Sequence, residues 1–450
     1  MMIGMGLSLS SFSGGDALSR YAITNAAGQS ISPIGAWDAF SQVAFGPASI
    51  PIQTLFANTR NGAATYVDAS GAIVPQPALN SITDHYIDGL AHALFQPSRT
   101  NDFTHSGNFV DTDWGSFRTT LSQGDAAPLS GEHFTTGTAS ETNNNGSALA
   151  AQTKANQVAG TYTCSAHAKE GPLDTGWLLI VIADQADGGN RAQGWVNVST
   201  GEIGTASVTG SGFSSPSIVV EEMPNGVFRG KLTYTQSGTV SIFSRFYIVN
   251  GNGTFAVTGG KDLQGWGAQH EPGAFATTYI PTAGSSVTRL ADRALCALTT
   301  LPIDVTGGTI FIYVRVYYNV LGSAFPRVLQ IDDGSSANRV MLSINESAGG
   351  FILTIVAGGV TQSNVSISYT SGAEFILGIR FETDATVLSL NGSNSSEDTS
   401  VTLPSGLTHI RWATNEGGGD NSTVVALSKF LSFAHEFTTA EMNAETGACG

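Results

Sequence analysis

Two pairs of adjacent acidic residues have the side-chain type that catalysis of glycan cleavage requires. Glu221 and Glu222 form one pair, and Asp332 and Asp333 form the other. Glycoside hydrolysis uses two carboxylates that flank the scissile bond. Adjacent residues of a strand point to opposite faces of the sheet, so neither pair acts together without a partner from elsewhere in the chain.

Motifs of other catalytic classes are missing from the sequence. It contains no Gly-x-Ser-x-Gly elbow, no phosphate-binding Gly-x-x-x-x-Gly-Lys loop and no His-Glu-x-x-His zinc motif. We therefore expect that the chain is not an enzyme. A glycan-active enzyme with lectin-like modules stays open as an alternative.

Two oxygen-rich stretches have the composition of calcium loops. They are Asp332-Asp333-Gly334 and the segment from Asn415 to Asp420. Calcium takes six to eight oxygen ligands, mostly from carboxylates and carbonyls. Neither stretch has the ordered spacing of an EF-hand, and solvated turns capped by Asp or Asn side chains explain both more simply. We expect no cofactor, with calcium at Asp332 and Asp333 as the open option.

Exposed aromatic rings with polar neighbours would indicate sugar recognition on a sheet. Trp195 is the first candidate, because Gln193 and Asn197 share its face of a polar strand. Trp412 is the second candidate. The alternative for each ring is an ordinary place in a hydrophobic core.

The charge balance excludes several kinds of partner. The chain has 19 basic and 35 acidic residues and a net charge of −16, so it repels phosphate backbones and anionic membrane surfaces. We expect no nucleic-acid partner. The apolar runs, such as Trp177 to Ala183, are too short to insert into a bilayer, and the N-terminus lacks the basic region of a signal peptide.

The three cysteines are sparse and far apart. Cys164, Cys296 and Cys449 form neither a zinc-binding cluster nor a disulfide framework. This usage fits assembly in a reducing cytosol.

Composition and patterning predict an all-β chain. Only 12% of the residues are charged, 54 are glycines, and short apolar runs alternate with turn residues. We predict an irregular docking segment at 1–50, a small β-hairpin unit at 51–100, and two antiparallel jelly-roll or β-sandwich domains in tandem at 101–285 and 286–450.

Local patterns in the first hundred residues predict two short elements. Ala36 to Phe40 suggests a helical turn. Ala64 to Val67, a turn around Gly71, and Ala72 to Pro75 read as a β-hairpin.

In the first predicted sandwich, the run from Trp177 to Ala183 indicates a strand that is covered on both faces. The stretch from Tyr162 to Lys169 alternates instead. Its polar face, which we expect to be solvated, consists of Thr163, Ser165, His167 and Lys169.

In the second predicted sandwich, the stretch from Thr309 to Tyr317 alternates between two faces of a strand. One face holds Ile310, Ile312, Val314 and Val316, and the other holds Phe311, Tyr313, Arg315 and Tyr317. Asn391-Gly392 favours a tight hairpin turn. Thr438 with Glu441 is a capping-box pattern that predicts a short C-terminal helix.

One motif carries a family resemblance. The segment from Trp266 to Ala294, WGAQHEPGAFATTYIPTAGSSVTRLADRA, resembles the closing strand and exit linker of a carbohydrate-binding-module-like β-sandwich found in bacteriophage tail-fibre and head-fibre proteins. Pro97 to Asn101 resembles the segment that opens the same module. Gln96 stands where that pattern has an acidic residue, and Asp102 where it has an apolar one. The C-terminal part resembles a concanavalin A-like (laminin G-like) domain.

The resemblance implies structural roles for three residues. Trp266 would close the first sandwich. Arg289 and Asp292 would lie in the joint that follows, where Arg289 would pair with Asp292 or with carbonyl groups.

The resemblance also implies a function. The chain would be a virion structural protein, a tail fibre, tail spike or head fibre, assembled in the host bacterial cytoplasm and exposed on the particle. It would adhere non-covalently to a host cell-surface glycan, contact other virion proteins through residues 1–50, and form a homo-oligomer such as a trimer. A non-adhesive decoration protein that stabilises the capsid or tail is the alternative.

Overall fold

The computed structural model describes residues 90–447 except 174–175, 319–325, 346–348, 370–373 and 418–423. Before residue 90 it describes eight short stretches, namely 23–24, 29–31, 35–38, 43–45, 50–51, 64–70, 72–75 and 84–87.

Strands dominate the part of the chain that the structure describes. The strands that precede the first sandwich are β1 (Ile23–Thr24), β2 (Ser30–Ile31), β3 (Gly35–Asp38), β4 (Val43–Phe45), β5 (Ile50–Pro51), β6 (Thr65–Val67), β7 (Ile73–Pro75), β8 (Asp84–Ile87), β9 (Leu90–Phe95) and β10 (Arg99–Asn101). Those of the first sandwich are β11 (Gly115–Phe117), β12 (Thr119–Ala126), β13 (His133–Ala139), β14 (Ser147–Gln157), β15 (Gly160–Glu170), β16 (Trp177–Asp184), β17 (Arg191–Asn197), β18 (Ile203–Thr209), β19 (Phe213–Met223), β20 (Val227–Gln236), β21 (Val240–Val249) and β22 (Asp262–Pro272), with a 3-10 turn at Pro224–Gly226.

The remaining elements follow the first sandwich. They are β23 (Val287–Arg289), β24 (Ala294–Ala297), β25 (Gly308–Tyr318), β26 (Arg327–Asp332), β27 (Arg339–Asn345), β28 (Gly350–Ala357), β29 (Val360–Ser368), β30 (Glu374–Phe381), β31 (Val387–Leu390), β32 (Ser393–Asn394), β33 (His409–Trp412), β34 (Val424–Phe433) and the helix α1 (Thr439–Thr446).

The first sandwich consists of two six-stranded antiparallel sheets. We call β11-β14-β21-β16-β17-β18 the front sheet and β12-β13-β22-β15-β20-β19 the back sheet. Non-consecutive strands lie side by side in both, as in a jelly roll. The second sandwich also consists of two sheets that pack face to face. One is a six-stranded sheet, β24-β33-β26-β27-β28-β29, and the other is a larger sheet that runs β32-β31-β30-β25-β34. The all-β, two-sandwich fold class is therefore confirmed.

Side-chain alternation explains the core of the first sandwich. Tyr162, Cys164 and Ala166 of β15 face Leu178 and Ile180 of β16 in one buried cluster between the sheets. Strand β16 is apolar from Trp177 to Ala183, and its residues Leu179 and Val181 lie in a second cluster on the outer face of the front sheet. The prediction of a strand covered on both faces is confirmed.

Most of the polar face of β15 is buried, which contradicts the expectation that it is solvated. His167 is 1% exposed. Its ring lies 5.0 Å from that of Trp266 and contacts Tyr279, which comes from the segment after β22. That segment folds back over the outer face of the back sheet, so the sequence pattern is right about which residues share a face but wrong about what covers it.

The hairpin predicted at 64–75 forms from β6 and β7 and docks on the first sandwich. Thr65 Oγ1 donates a hydrogen bond to the Tyr279 carbonyl at 2.6 Å. Ile73 joins a buried cluster with Trp266 and Tyr279. Trp266 therefore holds the hairpin and the returning segment against the back sheet.

Strands from before the first sandwich complete the larger sheet of the second. Strand β34 pairs with β25 along one edge, and with β3 and β9 along the other. The helical turn predicted from Ala36 is wrong, because residues 35–38 form β3. An unpaired edge of β34 offers backbone donors and acceptors that a short segment satisfies best as a strand.

Both predicted C-terminal features are confirmed. Asn391 and Gly392 have φ values of 45° and 82° and form the tight turn between β31 and β32. Thr438 caps α1 in a capping box with Glu441. In the described part of the chain, no helix has the length and apolar character needed to cross a membrane.

Candidate functional site

A cleft lined mainly by polar residues opens beside strands β14 and β21 of the front sheet. It has a volume of about 530 Å³ and lies between residues of the 102–115 segment and residues of strands β14 and β21. The lining residues are Asp102, Thr104, Asp113, Gly115, Ala151, Gln152, Thr153, Phe243 and Arg245. We call this site the Asp102 cleft.

Strand register brings the floor of the cleft together. Thr153 lies opposite Phe243, and Ala151 opposite Arg245, in the antiparallel pairing of β14 with β21. Phe243 and Arg245 are partly exposed, whereas Ile242, which alternates with them, is buried in the core. Period-two alternation thus places an aromatic ring and a guanidinium group side by side on the outer face.

An aromatic cluster fixes the wall of the cleft. Phe103, Phe109 and Trp114 are buried and pack around Phe246 of β21. The Trp114 indole donates a hydrogen bond to the His105 carbonyl at 3.0 Å. These ring contacts anchor residues 102–115 to the core side of the front sheet.

Gln152 ties this wall to the floor. Its side-chain oxygen accepts a hydrogen bond from Thr104 N at 2.9 Å, and its amide nitrogen donates to Thr104 O at 3.1 Å. The Thr104 hydroxyl donates in turn to Asp113 Oδ2 at 2.6 Å. Gln152 is a positioning residue, and the contact from Thr104 fixes the orientation of the Asp113 carboxylate.

Asp102 is an ionised carboxylate at the inner end of the cleft. Burial alone would raise its pKa, but hydrogen bonds and charge from His270 and Lys154 outweigh burial and lower the pKa below its usual value. Lys154 Nζ lies 2.9 Å from Asp102 Oδ1. The carboxylate therefore stays negative at neutral pH and accepts hydrogen bonds.

Arg245 is held over an aromatic ring. Its guanidinium carbon lies 4.5 Å from the centroid of Phe243, and its Nη1 donates to Tyr247 Oη at 3.2 Å. A cation over a ring face at this distance is attracted by the ring quadrupole. The stacking presents Arg245 in a fixed orientation at the cleft.

A histidine and two carboxylates lie at the rim. His105 Nδ1 is 3.4 Å from Asp111 Oδ2, and His105 Nε2 is 3.8 Å from Asp113 Oδ2. One ligand-type atom from each residue lies within 4.8 Å of the others, which is compact enough for a metal ion. Exposed groups of this kind are common without a metal, so we treat the cluster as a source of negative charge.

The predicted sugar platform at Trp195 needs correction. Trp195 does share a face with Gln193, but it is 2% exposed, and its indole donates to the Thr254 carbonyl at 2.9 Å. Its ring lies against Phe255 beneath the loop between β21 and β22. Asn197 caps the turn after its own strand through Ser199 N. A sugar has no open ring face to stack on here.

Trp412 is also a core residue. It is 0% exposed and packs edge-to-face on Phe430 between the sheets of the second sandwich, with ring centroids 5.2 Å apart. Period-two alternation in β33 points its ring inward, which corrects the prediction that it binds a ligand.

The carboxylates proposed for calcium are engaged by protein donors. Arg411 binds Asp332 with two nitrogens at 2.6 and 3.0 Å, and Gly334 N donates to the same carboxylate. Asp333 accepts from Ser335 and Asn338 in its own turn. The alternative of turns capped by Asp side chains therefore fits better than a metal site.

Glu221 and Glu222, the other pair of adjacent acidic residues, do not form a catalytic pair either. Glu221 Oε2 lies 2.7 Å from Lys231 Nζ, and Glu222 is exposed at the next position of β19. This strand geometry does not bring the two carboxylates together on one face.

The three residues assigned to the joint separate into two places. Arg289 is fully buried, and its Nη1 donates to Asp292 Oδ2 at 3.0 Å. Its Nη2 donates to the Pro97 carbonyl, across the short β10–β23 pairing through which the chain enters and leaves the first sandwich. Trp266 lies away from this pair, under the hairpin, where its indole donates to Glu132 at 2.6 Å.

Sequence reasoning did not identify the residues of the Asp102 cleft as a site. Asp102 gave one signal, because it stands where the resembling module has an apolar residue. Asp113, Phe243 and Arg245 gave none, since they are far apart in sequence and only the fold brings them together.

The fold and the cleft define an all-β protein of two sandwiches with an open polar cleft on the first. No family model matches the chain, and no curated protein matches it. Among solved structures, it is similar to a CBM40 of the Ruminococcus gnavus IT-sialidase bound to α2,3 sialyllactose, with 15% identity, 32% of this chain and 83% of that chain covered, and a TM-score of 0.28.

A second similar structure is the receptor binding domain of botulinum neurotoxin type G, with 13% identity, 34% and 39% of the two chains covered, and a TM-score of 0.28. A third is the binding domain of botulinum neurotoxin DC in complex with SialylT, with 11% identity, 36% and 40% covered, and a TM-score of 0.29. The chain spans well under half the length of either toxin chain. At these scores the likeness carries no argument about function.

Proposed function

We propose that this chain is a non-catalytic glycan-binding protein exposed on a bacteriophage particle, where it adheres to host surface glycans. The Asp102 cleft is the observation that carries the binding part of this proposal. The resemblance of the segment from Trp266 to Ala294 to a phage module supports the virion part.

The size and lining of the cleft suit a sugar. Its volume of about 530 Å³ falls in the range of about 300–1,000 Å³ typical of small-molecule sites. Asp102 and Asp113 accept hydrogen bonds, and Arg245 donates them, so the cleft offers both partners that sugar hydroxyls need. Phe243 adds an apolar surface for the carbon-bound face of a sugar ring.

A sugar site of this kind would act through several copies on one particle. Single sugar sites bind weakly, and several copies on one particle raise the effective affinity without new contacts. In this proposal the protein forms a homo-oligomer, such as a trimer, and residues 1–50 contact other virion proteins. Tail fibre, tail spike and head fibre positions all fit.

Glycan-array binding by the full chain tests the proposal. Wild type should bind at least one class of bacterial surface glycan, and Arg245→Ala should weaken that binding roughly tenfold because a desolvated contact is lost. Arg191→Ala is the matched control. Arg191 lies 5.1 Å over Phe255 in the same sheet but does not line the cleft, so its loss should leave binding unchanged.

Other outcomes would support the rivals. A folded chain that binds no glycan would point to a decoration protein. Release of reducing sugars from host polysaccharide would point to an enzyme. An equal loss of binding in both arginine variants would show that the glycan site lies elsewhere.

A further inference from the structure

We propose that the Asp102 cleft selects uncharged sugars rich in hydroxyl groups and discriminates against acidic sugars such as sialic or uronic acids. This inference rests on the proposed glycan-binding function and names the class of sugar bound at the same site.

Two carboxylates line the cleft directly. The Asp102 side chain is 15% exposed and that of Asp113 is 42% exposed. Asp111 lies just behind Asp113, across the His105 ring. A carboxylate accepts hydrogen bonds and cannot donate them, so it pairs with the hydroxyl groups of a neutral sugar and repels the carboxylate of an acidic one.

The positive charges near the cleft have other contacts. Lys154 is held by Asp102 at 2.9 Å, so this pair contributes little net charge to a ligand. Arg245 is the cation among the lining residues, and its guanidinium is oriented by Phe243 and Tyr247. Arg245 lines the same cleft as Asp113. Because Lys154 is already paired with Asp102, Arg245 is the one remaining cation among the described lining residues for the Asp113 carboxylate and for any carboxylate that a ligand brings.

Protonation does not turn Asp102 into a hydrogen-bond donor for the carboxylate of an acidic sugar. His270 Nδ1 lies 3.4 Å from Asp102 Oδ2 from the buried side, and Lys154 holds the other oxygen. Together they keep the pKa of Asp102 below its usual value despite burial. Asp102 therefore accepts hydrogen bonds but donates none in the mildly acidic and neutral range, which suits a sugar hydroxyl and not a carboxylate.

The chain as a whole reinforces the effect at a distance. Its net charge is −16, and long-range repulsion slows the approach of acidic ligands, more so at low salt. Discrimination by charge should therefore shrink as ionic strength rises, whereas discrimination by shape should not.

Matched oligosaccharide pairs test the inference. Lactose and sialyllactose are one such pair, and the neutral and carboxylated forms of other surface oligosaccharides extend the set. The affinity of the full chain for each is measured by titration calorimetry at low and at physiological salt. We expect the neutral member of the best-bound pair to bind roughly tenfold more tightly at low salt. The gap should narrow as salt rises.

A charge-neutral variant provides the second measurement. Asp113→Asn keeps an oxygen that accepts the Thr104 hydrogen bond but removes the negative charge. Asp113→Asn should reduce the ratio of the affinities for the neutral and the acidic oligosaccharide roughly threefold, mainly by raising the affinity for the acidic one. Asp187→Asn is the control, because Asp187 caps an exposed turn of the same sandwich outside the cleft. It should leave the ratio unchanged.

Two results overturn the inference in different ways. Tighter binding of the acidic member by wild type would overturn charge selection while leaving glycan binding intact. Failure of the folded chain to bind any member of any pair would overturn the proposed function, and the selectivity with it.

Discussion

His270 links Asp102 to Tyr234 across the core of the first sandwich. One ring nitrogen, Nδ1, lies 3.4 Å from Asp102 Oδ2, and the other, Nε2, lies 2.8 Å from Tyr234 Oη. The imidazole is fully buried and stacks on Tyr162 with the ring planes 12° apart. A cleft carboxylate is thus positioned by a side chain that itself never meets solvent.

Replacement of His270 by Phe should damage stability and binding together. The ring would still stack on Tyr162, but Tyr234 Oη would lose a partner in the core, at a cost of about 1–3 kcal/mol in the free energy of unfolding. Asp102 would lose the His270 contact and keep only that to Lys154, so glycan affinity should fall several-fold. Urea unfolding and titration calorimetry measure the two effects.

Tyr234→Phe separates these effects. It removes the hydroxyl without touching Asp102, so it should lower stability and leave affinity nearly unchanged. Unaltered affinity in a folded His270→Phe variant would show that His270 does not position Asp102.

His167 should make the protein sensitive to acid. Burial, and secondly the charge of Arg229, lower its pKa to about 3. The unfolded chain takes up this proton near pH 6.5, so between pH 6.5 and 3 the unfolded state binds more protons than the folded state. The stability that neutral His167 contributes is therefore present above pH 6.5 and lost as pH falls toward 3.

Variants can isolate this contribution. His167→Gln should flatten the fall in unfolding free energy between pH 6.5 and 3, by up to about 5 kcal/mol at the acid end. His133→Gln, at an exposed position of the same sandwich, should leave the slope as in wild type. Parallel pH profiles for wild type and His167→Gln would show that His167 titrates normally in the fold.

Arg289→Ala should destabilise the joint strongly. It leaves the buried Asp292 carboxylate without its guanidinium partner, which typically costs about 3–5 kcal/mol. Arg118→Ala is the comparison, because its pair with the more exposed Glu141 should contribute under about 1 kcal/mol. Urea denaturation of both variants measures the difference, and equal losses would mean that Arg289 does not stabilise the joint.

Cys164 should be inert in the native protein. It lies in the core of the first sandwich with no exposed surface, and burial raises the pKa of its thiol well above the usual value. Burial also raises the pKa of Cys296, to about 11. In a Cys449→Ser background, a thiol reagent should label neither residue until urea unfolds the chain. Rapid native labelling of Cys164 would mean that the core opens readily.

Local patterns could predict most of the fold. The alternation in β15 and β25 and the Asn391-Gly392 turn depend on residues that are neighbours in sequence. Local sequence therefore predicts them without knowledge of the tertiary structure. The helical turn predicted from Ala36 failed because its strand forms only where β34, almost four hundred residues later, presents an edge.

The site could not be predicted in the same way. Trp195 and Gln193 share a face as expected, yet the fold of the loop that carries Phe255 decides that the ring is buried. Asp113 and Arg245 line one cleft only because the fold brings residues 102–115 next to β14 and β21. Such contacts depend on tertiary packing, which leaves no period in the sequence.

A structure of the full chain in complex with its best-bound array glycan tests the central claim most directly. We predict density for a sugar in the Asp102 cleft, with hydroxyl groups within hydrogen-bond distance of Asp113 or Arg245. A sugar bound on the second sandwich, with the Asp102 cleft holding only solvent, would contradict this assignment.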